Sequence, residues 1–413
     1  MTMSNVSVEV STVASQRKAL LLIALGTMLA MTTWFSTSAV LPELRSRWGL
    51  STNESSVLIV VLQLGFVVGA VVSAALGVAD RIAPQKVVAV SAAGAAAANA
   101  AIVIADGYPA AVVLRFVTGA FLAGVYPPAL KLTATWFRKG RGMAMGVMIA
   151  ALTVGSATPH LVNAVGGAHW SAVMIATSIL TVTGGAVIVA FVPDGPSPFP
   201  VTGFNAGEAW RAMQQRDVRL VSLAYFGHMW ELYAMWAWIA LFLGDVLDRQ
   251  GSNLNRSALA FGVIAIGAVG SIVAGVWGDR VSKARSAIVA MVFSGAAALT
   301  IGVEGLPVGL VVAIAVVWGA TVVADSAQFS AILSERADQR FVGTALTVQL
   351  AFGFLLTIAT IWLVPLVRDN VGWWAAFAML APGPLFGAWA LARLDNTPPD
   401  TKAAIDPSTR LTP

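Results

Sequence analysis

Along this 413-residue chain, stretches of about 20 apolar residues alternate with short polar loops, and no other feature limits the fold so tightly. The stretches lie at roughly 18–41, 55–79, 87–105, 109–131, 142–165, 169–192, 218–243, 256–277, 286–304, 307–332, 341–366 and 372–393. A segment of that length crosses a ~30 Å hydrocarbon core as a helix. A helix also satisfies its own backbone hydrogen bonds where no water is present. The chain is therefore predicted to be an all-α membrane protein with twelve transmembrane helices. Composition agrees: 58% of residues are hydrophobic and 11% charged, against about 25% charged in a soluble domain. The first stretch exceeds the apolar core of a signal peptide, about 7–15 residues, and reads as the first span.

The basic residues are sorted by position. Of 25 Lys and Arg, 19 fall at ends that share one side if the chain starts in the cytoplasm. Five fall on the other side, namely Arg45, Arg47, Arg249, Arg256 and Arg368, and Arg115 is left inside an apolar stretch. This positive-inside bias predicts a multi-pass membrane protein with both termini cytoplasmic. The net charge of +5 follows from cytoplasmic loops. Because the basic residues are scattered, no nucleic-acid partner is implied. The chain has no cysteine, which excludes disulfides, thiol catalysis and Cys-based metal sites. With no nucleotide-binding loop, nucleophile triad or metal cluster, neither an enzyme nor a cofactor is expected.

The longest loop, about 193–217, carries Pro193, Pro196, Pro198 and Pro200 before the polar run Arg211 to Arg219. It divides the chain into an N-terminal half (1–192), a cytoplasmic linker (193–217), a C-terminal half (218–395) and a polar tail (396–413) expected to be disordered. Landmarks repeat between the halves. Asp80-Arg81 and Asp279-Arg280 are 199 residues apart, Gly119 and Gly319 are 200 apart, and Gly142 and Gly343 are 201 apart. A parallel repeat of two six-helix halves is a secondary-transporter architecture, with substrate bound between the halves.

Gly77-x-x-Ala-Asp80-Arg81-x-x-x-x-Lys86 resembles the loop motif between helices two and three of the major facilitator superfamily. The copy with Arg280 and Arg285 resembles its counterpart between helices eight and nine, and Leu114-Arg115-x-x-x-Gly119 resembles the helix-four motif. Trp34-Phe35-Ser36, Tyr126-Pro127-Pro128-x-x-Lys131, Pro159-His160 and Gly227-His228-x-Trp230-Glu231 resemble the bacterial branch grouped with cyanate and nitrate permeases. Span five departs from the Gly- and Asn-rich pattern of nitrate porters and lacks the Gly-Pro-x-x-Gly-Gly element of drug:proton antiporters. The resemblance implies two pseudo-symmetric six-helix halves, with helices 3, 6, 9 and 12 supporting the others from the lipid side.

Interior ionisable residues are few: Arg115, His160, His228, Glu231 and Asp325. Charge inside a membrane is costly and marks function. At 100° per residue, His228, Glu231, Met235 and Trp238 share a stripe on span seven, and Trp318, Thr321, Asp325 and Gln328 share one on span ten. Glu231, Asp325 and His228 are the proton-coupling candidates: burial disfavours a charged carboxyl, and histidine titrates near neutrality. The bland alternatives are a fixed counter-ion for Glu231, a hydrated Asp325, and a His228 that merely bonds a neighbouring acid. Arg115 stays charged, so it either meets an anion, pairs with an interior acid or anchors backbone carbonyls. Trp34, Thr37, Gln63, Arg115, Tyr126, His160, Trp230, Trp238, Gln328 and Gln349 form the candidate substrate surface, with Trp230 off the Glu231 stripe. Asp80, Arg81, Asp279 and Arg280 are candidate gating residues, since Asp can cap a neighbouring helix N-terminus and Arg can pair across the seam. The glycines Gly65, Gly69, Gly262, Gly267 and Gly270 are expected to allow close helix packing. The expected protein is a monomeric transporter in a lipid bilayer, taking up a small solute, preferably an organic anion, with a proton. Efflux of amphipathic compounds and a transporter-like solute sensor are the rivals.

Overall fold

The computed structural model describes residues 3–137, 141–166, 169–196, 211, 213–337 and 342–394. The tail 396–413 and much of the linker therefore lie outside the described residues. Among those described, the chain is helical throughout. Twelve long segments follow in order: α1 (Met3–Ala30), α2 (Thr52–Ala75), α3 (Pro84–Ile104), α4 (Tyr108–Trp136), α5 (Arg141–Gly166), α6 (Trp170–Phe191), α7 (Arg216–Arg249), α8 (Arg256–Arg280), α9 (Lys283–Thr300), α10 (Val308–Arg336), α11 (Val342–Val371) and α12 (Trp373–Ala392). Among the described residues, ten of these segments, α2 to α8 and α10 to α12, are by length and composition long and apolar enough to cross a membrane.

Local chemistry sets the ends. Ser51 and Glu54 form a reciprocal capping box at α2, and Asn255 caps α8 through the Ser257 and Ala258 amides. The left-handed Gly77 (φ 61) ends α2 and starts a short turn, Val78–Arg81. In the second copy α8 stays helical through Asp279 to Arg280, so the matched loops differ in backbone.

Several spans are broken rather than continuous. After α1 the chain passes through a 3₁₀ turn, Met31–Thr33, and a short helix, Ser36–Ala39, before an amphipathic helix, Leu41–Trp48. The α4 helix breaks between Leu122 and Tyr126, where Pro127 and Pro128 occupy the first turn of the second piece and need no backbone N–H. The α10 helix breaks at Asp325, between Ala324 and Ser326.

The packing order repeats. In the first six helices α2 lies on α4, α3 on α6 and α4, and α1 on α6 and α5; in the last six α8 lies on α10, α9 on α12 and α10, and α7 on α12 and α11. The pairs α5–α8 and α2–α11 join the two sets. Gly119 faces the backbone of Leu62 on α2, and Gly319 faces that of Val263 on α8, so a Cβ at either position would clash. These contacts are related by the repeat offset, as are the breaks in α4 and α10. Gly65, Gly69, Gly267 and Gly270 likewise meet neighbouring backbone, whereas a Cβ at Gly262 would meet nothing within 4 Å. Gly262 is therefore not a packing glycine, contrary to the sequence-based expectation.

Candidate functional site

The break after α1 organises the first set. Arg115 of α4 is 1% exposed and spends its guanidinium on that break. Nη2 donates to the Trp34 carbonyl at 2.8 Å, Nη1 to the Thr33 carbonyl at 3.1 Å and to Ser36 Oγ at 3.3 Å, and Nε to the Leu58 carbonyl at 3.3 Å. Ser36 in turn donates to Asn99 Oδ1 of α3 at 2.7 Å, and Asn99 Nδ2 reaches Ser178 Oγ of α6 at 3.0 Å. Of the sequence-based readings of Arg115, the anchor to backbone carbonyls is the one its hydrogen bonds match. No carboxylate lies within ion-pair distance of it among the described residues.

Other polar side chains near this break are buried with no partner inside the protein: Thr37, the indole N–H of Trp34, both amide atoms of Gln63, Ser156 and both ring nitrogens of His160. Ser156, His160 and Asn163 lie at helical spacing on α5. Asn163 fixes where that stripe faces, because its Nδ2 donates to the Ala39 carbonyl at 2.8 Å and to Ser257 Oγ of α8 at 3.1 Å. Gln63 precedes Phe66 by one turn on α2, and Phe66 lies 4.9 Å from Trp34, centroid to centroid. Buried polar groups normally carry hydrogen bonds, so a concentration of unpartnered ones marks a site.

Aromatic rings close the seam at this level. Trp34 meets Tyr233 of α7 at 5.7 Å and Phe354 of α11 at 5.8 Å, and Phe66 meets Phe354 at 4.6 Å. Phe35 meets Trp236 edge-on at 5.9 Å. Sequence reasoning found Trp34 but missed Tyr233, Trp236, Phe66 and Phe354. Uncharged aromatics do not stand out in an apolar span, and only their partner across the seam distinguishes them.

The second set carries the acids. Glu231 of α7 accepts the Trp318 indole N–H at 2.7 Å on Oε1 and the Ser294 hydroxyl at 2.7 Å on Oε2. One turn earlier, His228 Nδ1 lies 2.8 Å from Asp325 Oδ1, and its Nε2 lies 3.0 Å from Ser326 Oγ. Two rungs thus join α7 to α10, both inside the second set. The predicted stripes on spans seven and ten do meet, at Glu231–Trp318 and His228–Asp325. They meet each other, however, and Glu231 reaches the supporting helix α9. Ser294 is an uncharged hydroxyl in an apolar span, and no sequence signal sets it apart from other serines.

The remaining candidates divide. Trp238 donates to the Ile361 carbonyl at 2.9 Å and Trp230 to the Met379 carbonyl of α12 at 3.0 Å, which turns Trp230 away from the seam. Gln328 donates to the Ala274 carbonyl at 3.2 Å, and Gln349 to Ser222 Oγ at 3.4 Å. Tyr126 is half-buried at the restart of α4. The structure therefore separates Trp34, Thr37, Gln63 and His160, whose polar atoms lack partners, from Arg115, Trp230, Trp238, Gln328 and Gln349, whose polar atoms are taken.

The gating candidates lie at one end of the bundle. The Asp279 carboxylate sits against Gly142 in the first turn of α5, across the α5–α8 seam, where a negative charge suits a helix N-terminus. Lys283 stands 4.0 Å from Asp279 and 2.8 Å from Glu335. Arg81 and Arg280 are exposed, and the side chain of Asp80 lies outside the described residues. At the other end Thr52 of α2 donates to Asp369 of α11 at 2.6 Å, a second tie across the seam.

Relatives agree with this architecture. A probable sulfoacetate transporter, SauU, from Cupriavidus necator is 25% identical over 363 residues, which span 83% of this chain and 77% of that protein. Among solved structures, the nucleoside transporter NupG superposes with a TM-score of 0.70 at 12% identity, covering 91% of this chain and 99% of that one. The human organic anion transporter MFSD10 gives 0.67 at 15% identity over the same shares. A bacterial homologue of the human lysosomal transporter Spinster, in an inward-facing and unoccupied conformation, gives 0.64 at 14% identity, covering 92% of this chain and 95% of that one. The Major Facilitator Superfamily model matches residues 23–358, and with that match spanning most of the helices described above, the chain belongs to the Major Facilitator Superfamily of membrane transporters.

Proposed function

We propose that this transporter imports a small organic anion together with a proton, by alternating access, across a bacterial cytoplasmic membrane with both termini inside. The observation that carries the reading is the buried charge of Arg115, which no carboxylate balances among the described residues. A guanidinium stays charged at physiological pH. Its hydrogen bonds are met by carbonyls, yet its net charge is not. An anion bound among Thr37, Gln63 and His160 would find neutral polar groups in contact and a positive field behind them. His160, with both ring nitrogens unpartnered, can hold a proton when an anion lies beside it.

The proton is proposed to travel with Glu231, His228 and Asp325. These groups hold α7 to α10 while α7 presents Tyr233 and Trp236 to the seam. Protonating the acids weakens the charge-assisted bonds between the two helices, which links proton binding to movement at the anion site. Sulfoacetate, the substrate named for the probable transporter of Cupriavidus necator, is a small organic anion. Asp279 against α5 and Thr52 against Asp369 are the proposed ties of the two gates.

The test is uptake by protein in liposomes of labelled sulfoacetate and a panel of short sulfonates and carboxylates. The expected result is accumulation of at least one when the outside is acidified, abolished by a protonophore. Failure of the whole panel, together with expulsion of an amphipathic dye against a proton gradient, would replace import by efflux.

A further inference from the structure

Helix α11 runs through Pro365 near the end that carries Asp369. Proline has no N–H, so the carbonyl four residues back, that of Ile361, loses its donor within the helix, and the ring crowds it. Ile361 is fully buried, where a carbonyl without a donor is costly. The missing donor comes from another helix. The indole N–H of Trp238 on α7, a side chain 1% exposed, reaches the Ile361 carbonyl at 2.9 Å. Beyond Pro365 only a short outer turn remains, 366–371, and it is held from two sides. Across the seam, Asp369 accepts the Thr52 hydroxyl of α2 at 2.6 Å. Within the second set, the Arg368 guanidinium lies over the Trp373 ring, 5.3 Å from its centroid, and the Trp373 indole donates to Asp245 of α7 at 2.8 Å. Asp245 follows Trp238 by seven residues and Glu231 precedes it by seven, two turns each along one face of the helix. The face of α7 that carries the acid therefore also grips the proline site and, through Trp373, the outer turn above it.

We propose that Trp238 is a positioning residue whose N–H stands in for the one Pro365 lacks, and so holds the outer turn of α11 in the setting from which Asp369 reaches Thr52. When the indole lets go, the outer turn swings on Pro365 as a small gate, separately from any movement of one set of helices against the other. The bond is specific to proline at this place. An ordinary residue at position 365 would close the bond to Ile361 within the helix, and the turn would need no clasp from α7. Tryptophan suits the role because its one polar atom is a donor at the end of a rigid apolar ring. The gate works whatever solute is carried and in either direction, so it stands apart from the anion-import reading.

Ser55 of α2 lines a narrow gap with Pro365, Arg368 and Trp238 and is 3% exposed, so a cysteine there reacts only while the outer turn is away. The chain has no native cysteine, which makes that reaction readable. Ser55→Cys in the full-length protein in liposomes is reacted with N-ethylmaleimide. Trp238→Phe keeps an aromatic ring and removes the N–H. It should raise the rate about tenfold, the population shift produced when a buried carbonyl loses its donor. In protein that also carries Pro365→Ala, the same substitution should change the rate by less than about twofold, because the helix then supplies the donor itself. Equal ratios in the two backgrounds, or a larger one with Pro365→Ala, overturn the proposal, since the indole would then act by its bulk. Ala287→Cys, fully buried on α9 one turn from Lys283, reads general loosening of the protein. Acceleration there as large as at Ser55→Cys overturns the proposal as well.

Discussion

Replacing Glu231 by Gln tests the coupling reading at one atom. In the native protein Oε1 accepts from Trp318 and Oε2 from Ser294, each at 2.7 Å. Glutamine keeps the carbonyl acceptor for Trp318 and turns an amide N–H toward Ser294, whose hydroxyl can reverse and accept. The bonds are preserved in number, so stability should change by no more than about 1 kcal/mol. Alanine would instead orphan two buried donors at about 1–3 kcal/mol each and confuse folding with coupling. What Gln cannot do is gain and lose a proton. One pH unit across the membrane is worth about 1.4 kcal/mol per proton. One-to-one coupling with the potential clamped at zero therefore sustains about tenfold accumulation. The wild type should reach that ratio in liposomes and Glu231→Gln should stay near unity, while exchange of labelled for unlabelled substrate across the same membrane persists. A variant that still concentrates substrate tenfold would refute the assignment and move the proton to His228 and Asp325 or to His160.

Single cysteines in 44–54 and 248–256 should react with an impermeant reagent added outside sealed cells, and cysteines in 133–141 should not; the reverse pattern would invert the topology. Thr52→Cys/Asp369→Cys should cross-link across the seam and arrest transport until a reductant is added, whereas transport through the cross-link would show that this tie need not open. Gly119→Ala and Gly319→Ala should lower the thermal midpoint, because each new Cβ meets backbone, while Gly262→Ala should leave it unchanged or raise it; equal effects at all three would contradict the packing described. Arg115→Gln should lower the thermal midpoint, since the Trp34 carbonyl loses its donor at about 1–3 kcal/mol while the Thr33 carbonyl keeps the Ser36 hydroxyl and the Leu58 carbonyl its place in α2, whereas Arg115→Lys should lower it less and retain anion binding. A stable Arg115→Gln that binds the anion normally would remove the role given to that charge.

Most of the fold was legible because a bilayer imposes length on every span. The halves showed through Gly119 and Gly319, which occupy matched contacts against Leu62 and Val263. Breaks were harder to read. Pro127 and Pro128 announced the one in α4, but nothing proline-like marks Met31–Val40, whose carbonyls are freed because Arg115 collects them. Gly262 shows the limit of counting small residues: a glycine matters only where another backbone comes close, and sequence does not carry that distance.

The site was legible as a set of charges and illegible as a set of bonds. Periodicity put His228 and Glu231 on one stripe and Trp318 and Asp325 on another, and the two stripes do face each other. Which atoms were already taken depends on donors far along the chain, such as Ser294 for Glu231 and the α1 turn for Arg115. That distinction alters the electrostatic argument. Had Arg115 paired with Glu231 or Asp325, interior charge would cancel locally and the cavity would favour no sign. Instead the positive charge is held in the first set of helices and the acids in the second, with the aromatic seam of Trp34, Phe66, Tyr233 and Phe354 between them. On the proposed reading an anion is drawn to one side of the seam and a proton to the other, and a movement that separates or closes the two sets changes the energy of both. The proposed coupling needs no direct contact between anion and proton; it needs only that movement of one set of helices against the other changes the energy of both charges.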